Sequence, residues 1–246
     1  MAGHSKWKNI RLHKGKADVA RASLFGKLSR ELTTAAKQGG GSPDSNPRLR
    51  LAIDKAKAGS YPAENIKRAI QKGTGDLAAD NFDEVTYEGY GPNGVAVMVE
   101  AATDNRNRTV ADIRSIFNKN GGSLGESGSV AWQFERKGQI TVAALGVSED
   151  ALFEAALEAG ADDVQREDDD FLIQAAPEAL SELQIALESA GFTVSDLEVS
   201  LVPTTTIELE GESAKKMLKL LDALEGYADV QNVSANFEIS DDSLGE

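Results

Sequence analysis

The stretch from Gln139 to Val202, QITVAALGVSEDALFEAALEAGADDVQREDDDFLIQAAPEALSELQIALESAGFTVSDLEVSLV, decides the fold class. Short apolar runs bounded by turn residues read as strands, and apolar residues three or four apart read as helices. Strand Gln139–Val142 leads to helix Ser148–Ala159 and strand Asp163–Arg166. Strand Phe171–Ala175 then leads to helix Pro177–Ala190 and a strand near Val194–Val202. The order is βαββαβ, the ferredoxin-like arrangement.

Similar pieces lie on either side. Upstream, Val85-Thr86-Tyr87 and Val95–Ala101 read as strands joined by the hairpin turn Gly89-Tyr90-Gly91-Pro92-Asn93-Gly94. A helix from about Thr109 to Asn118 follows, with Val110, Ile113, Ile116 and Phe117 inward, and then a strand Val130–Phe134. Downstream come a strand Thr205–Leu209, a helix carrying Met217, Leu218, Leu221 and Leu224, and a last strand ending near Ile239. Lifting out the middle leaves a second α/β unit, split in two. The expected domains are therefore 81–136 plus 203–246, with 137–202 inserted; a plain serial arrangement is the alternative.

Residues 1–80 read differently. A basic arm, Lys6 to Lys16, precedes a helix Ala17–Gln38 whose apolar stripe is Leu24, Phe25, Leu28, Leu32, Ala35 and Ala36. Gly39-Gly40-Gly41-Ser42-Pro43 stops it. Asn46-Pro47 opens a second helix, ending at Gly59, with Leu49, Ile53 and Ala56 inward. Pro62 opens a third, ended by Gly73, with Ile66, Ala69 and Ile70 inward. The expected fold is α+β: an N-terminal basic three-helix domain followed by two α/β ferredoxin-like (βαββαβ-type) domains, one inserted in the other.

Charge is segregated along the chain. Of 246 residues, 26 are Lys or Arg and 40 Asp or Glu, a net of −14. Residues 1–75 hold 16 basic and 5 acidic side chains; residues 76–246 hold 10 and 35. A net of +11 beside a net of −25 predicts a nucleic-acid-binding module on a body that repels nucleic acid. The alternative is two solvated faces that attract each other. The phosphate-contact candidates are Lys6, Lys8, Arg11, Lys14 and Lys16 in the arm, with Arg21, Lys27, Arg30, Arg48, Arg50, Lys55, Lys67, Arg68 and Lys72 on the helices. Trp7 either stacks on a base or anchors the arm to the bundle. Helix three, with Asn65, Lys67, Arg68 and Gln71, has the residue types of a recognition helix.

Other constellations are weaker. Arg106 and Arg108, at a strand-to-helix turn, form a candidate anion site; the plain reading is an N-cap at Asn107 or Thr109, with the arginines paired to Asp104 or Asp112. The glycine-rich run Gly121–Gly128 lacks the GK[ST] ending of a phosphate loop and reads as a flexible connection. Glu167-Asp168-Asp169-Asp170 lacks the glycine and terminal Glu of an EF-hand and reads as a solvated turn. There is no cysteine and only His4 and His13, which leaves no thiolate metal site, no disulfide and almost nothing for a histidine-based triad. No cofactor and no small-molecule substrate are expected, and no enzyme. No apolar run is long enough to span a membrane, and the basic start is read as a folded arm, not as a secretory signal or presequence. The expected compartment is reducing and cytoplasmic.

Several motifs resemble the YebC family. They are Met1-Ala2-Gly3-His4-Ser5-Lys6-Trp7, Phe25-Gly26-Lys27-Leu28-Ser29-Arg30-Glu31-Leu32, Asn46-Pro47-Arg48-Leu49, Tyr87-Glu88-Gly89-Tyr90-Gly91-Pro92, Thr103-Asp104-Asn105-Arg106-Asn107-Arg108-Thr109 and Gly128-Ser129-Val130-Ala131. The resemblance implies three domains, one helical and two α/β, and a DNA-binding transcriptional regulator. It equally implies a role in translation on ribosomes stalled at proline-rich stretches, with ribosomal RNA as partner. In the regulator reading the acidic domains engage protein partners; a third class, a protein-interaction scaffold, would instead bind an acidic partner through its basic domain.

Overall fold

The computed structural model describes residues 17–77, 82–167 and 169–239, with backbone only at 17–21. These residues fall into two compact units that divide at Phe134/Glu135 and Val202/Pro203.

The first unit begins with three helices, α1 (Ala17–Gly39), α2 (Pro47–Ala58) and α3 (Ala63–Thr74). Asn46 is buried and sets the α1–α2 corner. Its Oδ1 accepts from the Leu49 amide at 3.1 Å, and its Nδ2 donates to the carbonyls of Ala35 and Gly40, each at 2.8 Å. Leu28, Leu32, Leu49 and Ile66 form the core, with Ala35, Ala36, Ala52, Ala56 and Ala69 letting the helices approach closely. Two expectations are corrected. Gly73 does not stop α3, which ends at Gly75 in the left-handed region (φ 87°). Gly73 lies inside the helix because a Cβ there would sit 2.3 Å from the Thr33 carbonyl oxygen on α1. Leu24 is 40% exposed, since it rests at the end of the core over Gly59, where α2 has finished.

An antiparallel hairpin follows, β1 (Asp83–Tyr90) and β2 (Ala96–Thr103), in register from Asp83↔Thr103 to Tyr90↔Ala96. Its turn places Asn93 and Gly94 at positive φ. Helix α4 (Arg106–Lys119) leads to the short strand β3 (Ser123–Leu124), which pairs with Gly89 and Tyr90 of β1. The glycine-rich run is thus stitched to the sheet edge and is not a free connection. The strand expected at Val130–Phe134 is absent: Ala131–Gln133 makes a helical turn, because the Glu88 carboxylate binds the local amides that a strand would use.

The second unit holds β4 (Phe134–Ala143), α5 (Glu149–Glu158), β5 (Asp163–Glu167), β6 (Asp170–Ala175), α6 (Leu180–Ser189) and β7 (Val194–Pro203). The sheet order is β5-β6-β4-β7, with β6 antiparallel to both neighbours described in register. That is the ferredoxin-like order. Ile140, Val142, Phe171 and Ile173 are buried, as are Leu152, Leu180, Leu183 and Leu187 on the helices. Glu167 pairs with Asp170 across a tight turn, where the sequence placed one; Asp168 lies outside the described residues.

The chain then re-enters the first unit as β8 (Ile207–Leu209), α7 (Gly211–Glu225), β9 (Val230–Ala235) and β10 (Phe237–Ile239). Strand β9 pairs antiparallel with β2, giving the order β3-β1-β2-β9, while β8 and β10 pair in parallel. Alternate residues Val95, Val97 and Val99 bury against Ile113 and Phe117 of α4 and Met217, Leu220, Leu221 and Leu224 of α7.

Candidate nucleic-acid interface

The fourteen candidate cations do not act alike. At least four of those among the described residues are turned to other parts of the protein. Lys27 donates to the Glu225 carbonyl at the end of α7, at 2.8 Å. Helix C-termini present unpaired carbonyls and a partial negative charge, so a lysine there is favourable. Arg30 donates to the neighbouring Ala228 carbonyl, lies 3.7 Å from the Asp229 carboxylate, and covers the Phe82 ring at 5.5 Å. Arg48 grips both Glu31 oxygens (2.7 and 2.9 Å), the Glu84 carboxylate on β1 (2.6 Å) and Gln38 Oε1 (2.7 Å). Burial opposes its charge, but the Glu31 and Glu84 bonds outweigh that and hold its pKa above the ordinary guanidinium value. Arg50 donates to the carbonyls of Pro43 and Asp44, at 3.1 and 3.2 Å, and closes the α1–α2 loop.

The outward set is smaller. Lys55 on α2 and Lys67 and Arg68 on α3 are exposed; Lys72, four residues beyond Arg68, is half-buried. Asn65 and Gln71 are half-buried. Lys6, Trp7, Lys8, Arg11, Lys14 and Lys16 lie outside the described residues, as does the side chain of Arg21.

At the start of α4 the N-cap is Asn105, not Asn107 or Thr109: its side chain accepts from the Arg108 amide at 3.1 Å. Arg106 pairs with Asp83 at 2.9 Å. Arg108 pairs with Asp104 at 2.8 Å and with Asp229 at 2.6 Å. Asp229, which the sequence reading missed, is the hub here. It is buried and also accepts from Thr109 at 2.8 Å and Thr103 at 3.2 Å. Burial pushes its pKa up, yet the Arg108 and Thr109 bonds and the charges of Arg108 and Arg30 prevail and hold it below the ordinary carboxylate value. No local signal marks Asp229, because these partners stand 120 or more residues upstream.

Glu88 was also missed. Its buried carboxylate accepts from the amides of Gly128, Val130 and Ala131 at 2.6, 2.8 and 2.9 Å. Beside it, the Trp132 indole N–H and the Tyr90 hydroxyl both donate to the Ser129 carbonyl, at 3.2 and 3.1 Å. Among the described residues no group of three or more His, Cys, Asp or Glu is placed to hold a metal ion, and no helix is long and apolar enough to cross a membrane.

Fold and surface together define an α+β protein of one helical and two sheet-bearing parts, with a basic helical surface on an acidic body. Residues 5–76 match the TACO1/YebC protein N-terminal domain, and residues 82–237 match the TACO1/YebC second and third domain. The chain belongs to the TACO1/YebC family. It is 54% identical over 243 residues to a protein of Pelotomaculum thermopropionicum, covering 98% of this chain and all of that one. It is 53% identical to one of Gemmatimonas aurantiaca, covering all of both. Both relatives are named "Probable transcriptional regulatory protein". The crystal structure of a conserved hypothetical protein from Aquifex aeolicus superposes with a TM-score of 0.86 at 49% identity, covering 95% of this chain and 96% of that one.

Proposed function

We propose that this protein is a non-enzymatic, nucleic-acid-binding regulator of gene expression. Lys55, Lys67, Arg68 and Lys72 contact phosphates together with the arm cations, and the acidic α/β parts orient the helical domain and engage protein. The observation that carries the reading is the outward placement of Lys55, Lys67 and Arg68 on a domain whose first 75 residues carry +11, against −25 for the remainder. The names of the relatives support DNA as the target.

A second reading, a translation factor bound to ribosomal RNA, draws support from the inward set. With Arg48 and Arg50 engaged internally, Arg68 is the outward arginine of α2 and α3. Bidentate base readout uses several forked side chains aimed at base edges. Scattered lysines suit phosphate and shape contacts to structured RNA.

The test uses full-length protein. Log K should fall linearly with log salt, with a slope of about −0.9 per phosphate neutralised on B-DNA. Lys67→Glu with Arg68→Glu should flatten that slope and weaken all sequences together. Arg48 and Arg50 are unsuitable for charge reversal, since each holds the fold. A promoter-binding protein must prefer its site by roughly 10³-fold over random DNA. Weak discrimination with co-sedimentation on ribosomes at physiological salt, lost in the charge-reversed variant, would favour the ribosomal reading. Unchanged binding by that variant would defeat both.

A further inference from the structure

We propose that Trp132 and Tyr90 form a rigid aromatic ledge that docks an arginine-bearing segment of a basic protein partner. This goes beyond the nucleic-acid contacts of the helical domain and uses a different part of the molecule.

The ledge is unusual first in its exposure. Trp132 is 75% exposed and Tyr90 36%, whereas a large aromatic side chain normally buries most of its surface. It is also held still. The indole N–H and the phenol O–H both end on the Ser129 carbonyl. That carbonyl cannot drift, because Glu88 binds the amides on either side of it and the Glu88 carbonyl accepts from Gly125 at 2.8 Å. On the far side, Gln133 accepts from Asn236 Nδ2 at 2.8 Å and, through its carbonyl, from the Thr204 amide at 2.9 Å. A platform ordered in advance loses little entropy when a partner arrives.

The available chemistry is narrow. The polar atoms of both side chains are spent on Ser129, so what remains are ring faces, which recognise by stacking. Three common groups stack on such faces: a nucleobase, a proline ring and a guanidinium. Charge separates them. Between Lys119 and Arg136 the only charged residues are Glu126 and Glu135, and Glu126 is exposed in the turn that carries Ser129. A base brings its phosphates toward the exposed Glu126, whose carbonyl accepts from the Ser129 amide at 3.1 Å. A proline ring is neutral and gains nothing from the acids. A guanidinium gains on both counts, since it stacks on indole and carries the charge that the acidic body attracts.

The chain has two tryptophans, Trp7 and Trp132. In full-length Trp7→Phe protein, Trp132 is therefore the sole tryptophan emitter. Titration with a capped peptide of alternating Gly and Arg should give a saturable change in its emission. The Gly/Lys analogue should act several-fold more weakly, and a Gly/Pro peptide and a deoxythymidine decamer should have no saturable effect. Fluorescently labelled Gly/Arg peptide should bind the Trp132→Ala variant about tenfold or more weakly, by anisotropy, while Trp132→Tyr keeps most of the affinity. Thermal unfolding and nucleic-acid binding should be the same in the wild type, Trp132→Ala and Trp132→Tyr proteins. Equal affinity for Trp132→Ala would reduce the effect to general attraction by the acidic body and overturn the proposal. So would saturation of the Trp132 signal by the oligonucleotide or the proline peptide in preference to the arginine one.

Discussion

Glu88 shows what one side chain can do to a chain path. The Glu88 carboxylate takes three main-chain amides, and the backbone from Gly128 to Ala131 bends around it. Burial raises its pKa, but the three amide bonds more than offset that and place it below its ordinary value of 4.5. Its folded pKa is depressed, so its contribution is complete above the unfolded value and fades as pH falls toward the folded one. Glu88→Gln, which turns an NH₂ toward amide donors, should cost about 1–3 kcal/mol at neutral pH. In urea melts the gap between wild type and variant should narrow steadily below about pH 4.5. A gap independent of pH would show that the charge is not what holds the loop. Asp229→Asn should likewise cost about 1–3 kcal/mol, because it leaves Arg30 and the two threonines facing an amide; unfolding midpoints measured at pH 7 would report it. Neither residue was legible in advance. Glu88 sits in an ordinary strand pattern and its three partners lie 40 or more residues downstream, beyond the reach of any local spacing rule.

At the scale of elements, what the sequence revealed was whatever is settled locally. The cap at Asn46-Pro47, the apolar stripes of α1 to α3 apart from Leu24, the hairpin at Gly89–Gly94 and the βαββαβ order of the insert all rest on neighbours within a few turns, and all stand in the structure. Several of the failures share a cause, a distant partner overriding a local signal. Gly73 looked like a stop and is a point of close approach between α3 and α1. Lys27, Arg30 and Arg48 looked like outward cations because they fall off the apolar stripe of their own helix. Their acceptors are supplied by residues as many as 198 positions away. Gly73→Ala makes a sharp test. Helix propensity alone would reward the change by up to about 1 kcal/mol. The clash with the Thr33 carbonyl should instead destabilise by about 1–3 kcal/mol, seen as a lower Tm by calorimetry. A raised Tm would mean that α1 and α3 part easily.

Across the whole first unit, two apolar cores lie side by side without merging: one among α1 to α3, the other between the split sheet and helices α4 and α7. The described hydrogen bonds that join them are polar, running from Lys27, Arg30, Gln38 and Arg48 to the Glu225 and Ala228 carbonyls and to Glu84, with the Arg30–Asp229 ion pair beside them. Interfaces of this kind yield to salt, since at 1 M the screening length is about 3 Å. Raising NaCl from 0.05 to 1 M should speed amide exchange in α1 to α3 well before β1 and β2 respond. Arg48→Gln should give the same pattern at low salt. Exchange that rises uniformly in both variants and conditions would show that the two cores unfold as one.

The insertion has a further consequence, in time instead of space. Strand β2 is buried along nearly its whole length, yet its partner β9 pairs from Val97↔Ala235, with the whole second unit made in between. At 5–20 residues per second, β2 leaves the synthetic machinery about 7–26 s before β9 exists. The inserted unit, with its short-range pairings, can finish folding in that interval. The hairpin of β1 and β2 must wait with one apolar edge open, which is the state most exposed to wrong pairing. Nascent chains that end before residue 230 should therefore hold a native insert on an unfinished sheet, and should depend on a chaperone that the completed chain does not need.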